Sequence, residues 1–219
     1  MRIIAGRFRR RRLAAASGNT TRPLTDRVKE QLFQRLGPFD GERVLDVFAG
    51  TGTVGLEALS RGAEHVVFIE RDHKAFELLK QNVERLGAGD ETLCWRADVL
   101  RCSFRPKGRD ELLPYDRIFV DPPYAIASQI KPGTALFRSL ERLARPDVAS
   151  ENAELVLRVP ARQQVILPAE WQTGELLKIG GMAIYRLRRT GSDVADGSPL
   201  VEVHEVDEEE SDDAGFEEE

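Results

Sequence analysis

Cysteine is scarce in this chain: Cys94 and Cys102 are the only two in 219 residues. Two thiols cannot staple a small secreted fold, and the three histidines, His65, His73 and His204, stand in no ligand spacing to them. No metal site is therefore expected, and a reducing, cytoplasmic compartment is. Long apolar runs are missing as well. No stretch of eighteen apolar residues exists, so no helix is expected to span a membrane. The opening Arg2-Ile3-Ile4-Ala5-Gly6-Arg7-Phe8 lacks the apolar block of a secretory signal, although an arginine-rich, acid-poor start also fits an organelle presequence.

Basic charge is absent from one end. Residues 191–219 contain no lysine or arginine and hold thirteen of the 37 acidic residues. The other 24 share residues 1–190 with all 32 basic ones, so the formal charge of −5 divides into +8 for the body and −13 for the tail. The acidity of the whole chain thus does not argue against a nucleic-acid partner. Arg2, Arg7, Arg9, Arg10, Arg11 and Arg12 precede any acidic residue, and Arg22, Arg27 and Lys29 follow. Such a cluster suits phosphate contacts whose affinity falls as salt rises; a merely solvated basic arm is the bland alternative. The tail is nearly devoid of apolar residues and is expected to be disordered. It reads as a solubilising appendage, or as a competitor with RNA for the basic arm.

What is present is chemistry at the ends of apolar runs. Val44-Leu45-Asp46-Val47-Phe48-Ala49-Gly50-Thr51-Gly52 is a strand running into a glycine turn. Gly50-Thr51-Gly52-Thr53-Val54-Gly55 also fits the phosphate-binding turn of dinucleotide folds, with Glu70 at the expected spacing. Asp46 decides between the readings: a carboxylate there repels a pyrophosphate and attracts the ammonium and sulfonium of S-adenosylmethionine. Glu70 ends the apolar run His65–Ile69, where a carboxylate can accept both ribose hydroxyls. Asp98, in Trp95-Arg96-Ala97-Asp98-Val99, is expected to end a third strand and to meet the adenine amino group, unless it is only a turn or cap residue.

The second motif, Asp121-Pro122-Pro123-Tyr124, follows the apolar strand Arg117–Val120, at the carboxyl edge where open α/β sheets bind ligands. An exocyclic amine on a base is a poor nucleophile because its lone pair is delocalised into the ring. Asp121 and the Pro122 carbonyl can each accept one amine N–H, Tyr124 offers a face for an unstacked base, and the prolines stiffen the loop. Together the two motifs point to an amino-methyltransferase acting on nucleic acid, with adenine and guanine both open.

The rest of the pattern agrees. Residues 28, 32, 33 and 36 form one apolar helical face after Thr25 as N-cap, with Gly37-Pro38 as the stop; Asp72–Leu86 reads as a second helix closed by Gly87. Alternating strands and helices predict a parallel sheet covered on both faces. Leu176–Ile179 and Ala183–Leu187, flanking Gly180-Gly181, predict a terminal hairpin. The organisation expected is a basic arm over residues 1–20, a catalytic domain over 21–190 and the acidic tail over 191–219.

Met1-Arg2-Ile3-Ile4-Ala5-Gly6, Thr21-Arg22-Pro23-Leu24-Thr25-Asp26-Arg27-Val28-Lys29-Glu30, the Asp46–Gly55 loop and Asp121-Pro122-Pro123-Tyr124 together resemble the RsmD-type bacterial 16S ribosomal RNA guanine-N2 methyltransferases, over residues 1 to about 189. The resemblance implies a Rossmann-like S-adenosylmethionine-dependent methyltransferase fold. This is a mostly parallel seven-stranded sheet with a C-terminal antiparallel hairpin, preceded by a small N-terminal β-hairpin. It implies that Asp46, Gly50 and Gly52 hold the amino-acid end of the cofactor, Glu70 the ribose and Asp98 the adenine, with Phe48, Thr51, Arg71 and Val99 also binding the cofactor. Arg22 and Pro23 would lie beside that pocket. Asp121, Pro122, Pro123 and Tyr124 would hold a guanine amine, and Arg2, Arg7, Arg9, Arg10, Arg11, Arg12 and Arg27 the RNA. The implied partner is 16S ribosomal RNA within an assembling 30S subunit, met by a monomeric, cytoplasmic enzyme. Because the likeness begins at Met1, no removable presequence is expected.

Leu24 stands where the family usually has Thr, Arg158 ends the fifth strand where Glu is typical, and the acidic tail is not a family feature. None of these departures is expected to touch the catalytic loop, which leaves the reaction type unaffected, and Arg158 and the tail are expected to bear on docking and regulation. Two rival readings stand beside this one: a DNA adenine-N6 methyltransferase, which needs a target-recognition region for which only the arm and short loops such as Arg101–Pro114 are available, and a non-catalytic RNA-binding assembly factor, which would not need Asp46 or Asp121.

Overall fold

The computed structural model describes residues 1–15, 25–128, 130–179 and 181–190, and the backbone of 202–206. Arg22, Pro23 and Leu24 lie outside the described residues. In chain order the elements are α1 (Asp26–Leu36), β1 (Arg43–Val47), α2 (Thr53–Ser60), β2 (His65–Glu70), α3 (His73–Leu86), β3 (Thr92–Arg96), β4 (Tyr115–Val120), α4 (Tyr124–Ala127), α5 (Ala135–Leu143), β5 (Ala149–Pro160), β6 (Trp171–Ile179), β7 (Met182–Arg189) and β8 (Glu202–Val206).

Local chemistry sets the boundaries. Thr25 Oγ1 accepts from the Val28 N–H at 3.3 Å, and Gly37, at φ +77°, ends α1. Asp72 caps α3 by accepting from the Ala75 N–H at 2.8 Å, and Gly87 closes it in the left-handed region. Both helices match the sequence expectation, the second with Asp72 as its cap.

The sheet order is β3-β2-β1-β4-β5-β7-β6-β8, with β3 to β5 parallel and β7 antiparallel to both β5 and β6. This is the expected Rossmann-like fold with its terminal hairpin. The strand order reverses between β1 and β4, which opens a crevice at their carboxyl ends. An eighth strand joins the seven expected. The backbone of Glu202–Val206 pairs in parallel with β6, so this stretch of the tail is not disordered as composition suggests. Valines at 201, 203 and 206 give it β-propensity inside an otherwise acidic run, and β6 offers an edge to pair with.

Alternation along the strands divides the core between two faces. Leu45, Val47, Val67, Ile69, Ile118, Val120, Leu155 and Leu157 pack with Leu136, Leu140 and Leu143 of α5. Val44, Val66, Phe68, Phe119 and Val156 pack with Val28, Leu32 and Phe33 of α1, Leu56 and Leu59 of α2, and Leu79 and Val83 of α3.

The N-terminal hairpin takes the form of a turn-rich loop closed by one antiparallel bridge, Arg2 to Arg12. It is sewn to the second face of the sheet. Ile3 and Leu13 are buried there, and the fully buried Glu57 of α2 accepts from the backbone N–H groups of Ile4 at 2.8 Å and Ala5 at 3.0 Å. Glu57 also takes Lys29 at 3.1 Å and Arg61 at 2.9 Å. Removing its charge strands the buried Lys29 ammonium. Glu57→Gln is expected to destabilise the protein by about 3 kcal/mol in urea denaturation, and to open the Ile4–Phe8 backbone to limited proteolysis.

Candidate active site at the sheet switch point

The same alternation that splits the core aligns the charged residues. Phe68, Val44, Phe119 and Val156 all face the α1–α3 side, and two residues further along each strand stand Glu70, Asp46, Asp121 and Arg158. These four therefore share one face across β2, β1, β4 and β5 near the carboxyl edge and astride the switch point, with Asp46, which pairs with Phe68 and Phe119, set one step behind the other three. Three of them are predicted site residues; the fourth is the arginine expected to leave the catalytic loop untouched.

Asp46 is buried, and its Oδ2 accepts from the Gly55 N–H at 2.9 Å. Burial, reinforced by the negative charges of Asp121 and Glu70 and opposed by the Gly55 bond, pushes its carboxyl up to about 7. The turn between them has no room for side chains. A Cβ on Gly52, which sits at φ +81°, would come within 2.4 Å of Leu79, and one on Gly55 within 2.4 Å of Phe68 and 3.0 Å of Asp46. Gly50 and Phe48 also adopt positive φ, 57° and 62°; for Phe48 this is strain stored at the mouth of the turn. The buried Thr51 carbonyl accepts from Asn82 Nδ2 at 2.9 Å, and Asn82 Oδ1 in turn accepts from the Ala14 N–H at 2.7 Å. Asn82 thus joins the glycine turn to the N-terminal segment; inside a helix pattern, nothing in the sequence singled it out.

Glu70 ends β2 and organises the neighbouring backbone. Its Oε2 accepts from the Gly50 N–H at 2.8 Å, and its Oε1 from the N–H groups of Arg71 and Asp72 at 2.7 Å each. Asp98 stands two residues beyond the end of β3, in the loop rather than on the strand. There Oδ1 accepts from the Leu100 N–H at 3.0 Å, a turn closure, and Oδ2 meets the exposed Arg71 at 3.4 Å. Val99 is buried, with its carbonyl held by Ser139 Oγ at 3.1 Å. Glu70, Arg71, Asp98 and Val99 are accordingly brought together beside the glycine turn.

Asp121 begins the loop after β4. Pro122 is buried; the Pro123 carbonyl accepts from Ile126 and Ala127, starting α4 at Tyr124, whose side chain is exposed. Arg158 grips Asp121 with two parallel bonds, Nε to Oδ1 and Nη2 to Oδ2, both 2.6 Å. The expectation that no departure touches the catalytic loop is thus corrected: β4–β5 pairing in parallel sets Val120 against Leu157, and the next residues in each strand meet. Burial raises the Asp121 carboxyl above its usual range, and the charge and hydrogen bonds of Arg158 oppose that rise.

The basic loop lies elsewhere. The Arg7 N–H donates to the carbonyl of Ser60, the last residue of α2, while the glycine turn precedes the first; α2 is about 12 Å long, so the loop tip sits toward the opposite edge of the sheet. Arg2 pairs with Asp26 and Arg7 with Glu91, both at 2.7 Å. Arg9, Arg10, Arg11 and Arg12 are exposed and make no ion pair among the described residues; Arg27 is exposed on α1.

A family model described as "Conserved hypothetical protein 95" matches residues 1–187. The Ribosomal RNA small subunit methyltransferase D of Haemophilus influenzae is 33% identical over 195 residues, covering 85% of this chain and 92% of its own. This chain belongs to the RsmD family. The Escherichia coli K12 Ribosomal RNA small subunit methyltransferase D is 32% identical over 188 residues, covering 85% of this chain and 88% of its own. A solved structure of the Escherichia coli protein yhhF superposes with a TM-score of 0.69 at 31% identity, covering 86% of this chain and 97% of that one. This member of the RsmD family thus has a Rossmann-like methyltransferase fold along its catalytic body.

The raised Asp46 carboxyl makes stability depend on pH. Its folded value, about 7, lies above that of an unfolded aspartate, so its contribution to stability is present below about pH 4 and lost as pH rises to 7. Asp46→Asn keeps an acceptor for Gly55 without the charge. Relative to wild type it is expected to gain roughly 1 kcal/mol per pH unit between pH 5 and 7 and to level off by pH 8, read by urea denaturation at each pH.

Proposed function

We propose that this protein transfers a methyl group from S-adenosylmethionine to the exocyclic N2 amine of a guanine in 16S ribosomal RNA of the small subunit. The observation that carries the reading is the placement of Asp46 and Asp121 on one face at the β1–β4 switch point, with a glycine turn on one side and Pro122-Pro123-Tyr124 on the other. The names of the curated relatives support ribosomal RNA as the substrate class.

The residues fit the proposed cofactor. Two buried or half-buried carboxylates suit a ligand with an ammonium, a sulfonium and two ribose hydroxyls, and at Gly50, between them, a Cβ would meet nothing within 4 Å, so the turn is open there. When bound, the cofactor supplies an electrophilic methyl on a positively charged sulfur. Asp46 would hold its ammonium, Glu70 its ribose and Asp98 its adenine, with Arg71 and Val99 beside them; Arg22 and Pro23 are proposed for the same pocket. Asp121 and the Pro122 carbonyl accept the two amine N–H bonds and turn the lone pair toward the methyl group. Tyr124, exposed at the start of α4, stacks on the flipped base. Orientation and electrostatics supply most of the acceleration, and the proton leaves after transfer, when the amine has become acidic.

Arg9, Arg10, Arg11 and Arg12 are proposed to hold phosphates, with RNA running from the catalytic edge along the α2 face. Replacing all four by Gln is expected to raise KM for RNA and flatten its dependence on salt while leaving kcat at saturation near wild type.

Transfer of labelled methyl to unmodified small-subunit RNA and to partly assembled 30S particles, followed by nucleoside analysis, tests the reading. N2-methylguanine is the expected product; N6-methyladenine or no product overturns it. Asp121→Ala is expected to lower kcat by roughly a hundredfold with cofactor affinity retained, and near-wild-type turnover would remove Asp121 from its role.

A further inference from the structure

We propose that Arg158 is the positioning residue of Asp121: a buried fork on β5 that fixes the carboxylate plane and keeps both oxygens acceptors for the substrate amine. The inference rests on the methyl-transfer reading given above.

The geometry is specific. A guanidinium that meets a carboxylate through Nε and Nη2 at 2.6 Å each is a two-point contact, which sets the rotation of the carboxylate as well as its distance. The Arg158 side chain is 6% exposed against 28% for Asp121, so the arginine lies behind the acid and the acid keeps the side that faces the crevice. Each carboxylate oxygen has two acceptor directions; the fork uses one on each, leaving the other for an amine N–H. Arg158 is itself held, with Nη1 3.6 Å from the Met182 sulfur on β7.

Burial explains why such a fork is needed. It raises the Asp121 carboxyl, Met182 on β7 is neutral, and Arg158 on β5 is the cation that opposes the rise. Protonated, Asp121 would present an O–H and lose acceptor capacity at the position where the amine must donate. A lysine could restore the charge but not the planar fork.

Two measurements test the assignment. In protein labelled with 13C at its carboxyl groups, with Asp121 identified by the signal that disappears in Asp121→Asn, Arg158→Gln is expected to move the Asp121 titration to higher pH and Arg158→Lys to return most of that shift. An Asp121 titration unchanged in Arg158→Gln overturns the inference whatever the protein methylates. In methyl transfer, Arg158→Gln is expected to lower kcat at pH 7 by roughly ten- to a hundredfold, to move the acid limb of the kcat profile upward and to leave KM for the cofactor unchanged. Arg158→Lys should recover the acid limb but only part of kcat. Equal loss at every pH with no recovery by lysine would reduce Arg158 to a packing role and also overturn the inference. If Asp121→Asn turns over like wild type, the methyl-transfer reading of Asp121 fails, while the titration still decides whether Arg158 governs that carboxylate.

Discussion

The parallel register of β1 against β4 is the constraint from which the site follows. It sets Asp46 beside Phe119 and Val47 beside Val120, so two carboxylates arrive at one sheet edge on one face. Like charges brought together in a half-buried crevice are costly, and each neighbouring feature answers that cost. The Gly55 N–H meets Asp46, three backbone N–H groups meet Glu70, and a guanidinium meets Asp121. A crevice so charged is unsuited to a pyrophosphate and suited to a cation that carries ribose hydroxyls, which separates it from dinucleotide sites built on a similar glycine turn.

A second set of contacts supports the first from behind. Glu57 joins α2 to α1 through Lys29 and to the N-terminal loop through Ile4 and Ala5. Asn82 joins α3 to Thr51 in the glycine turn and to Ala14. The turn that faces the proposed cofactor is thereby fastened to the loop that carries the arginines, through buried polar groups that leave little slack.

Much of this was legible in the sequence because the signals were local. Thr25, Asp72 and the glycines at 37 and 87 announce helix ends by capping chemistry, and both motifs announce strand ends by following apolar runs. Arg158 is visible in the sequence as the end of an apolar run, but its partner depends on the register of β4 against β5, which no local pattern encodes. Counting two residues from Phe119 and from Val156 would have put Asp121 and Arg158 on one face once that register was known. Asp98 was set at a strand end because Trp95-Arg96-Ala97 continues the apolar alternation, yet pairing with β2 stops at Arg96. The eighth strand, Glu202–Val206, is hidden because composition averaged over 29 residues masks a five-residue segment.

The stitching of the first fifteen residues has a consequence for the order of assembly. Ile4, Ala5 and Ala14 find their hydrogen-bond partners in α2 and α3, more than fifty residues later in the chain. During synthesis this segment emerges before them and, apart from the contacts of Arg2 with Asp26 and Lys29 on α1, its partners wait for the β1-α2-β2-α3 unit, and closing so long a loop is entropically slow. The arginine-bearing segment therefore stays an open polycation through the early life of the nascent chain and becomes a shaped surface only when the catalytic body beneath it is complete.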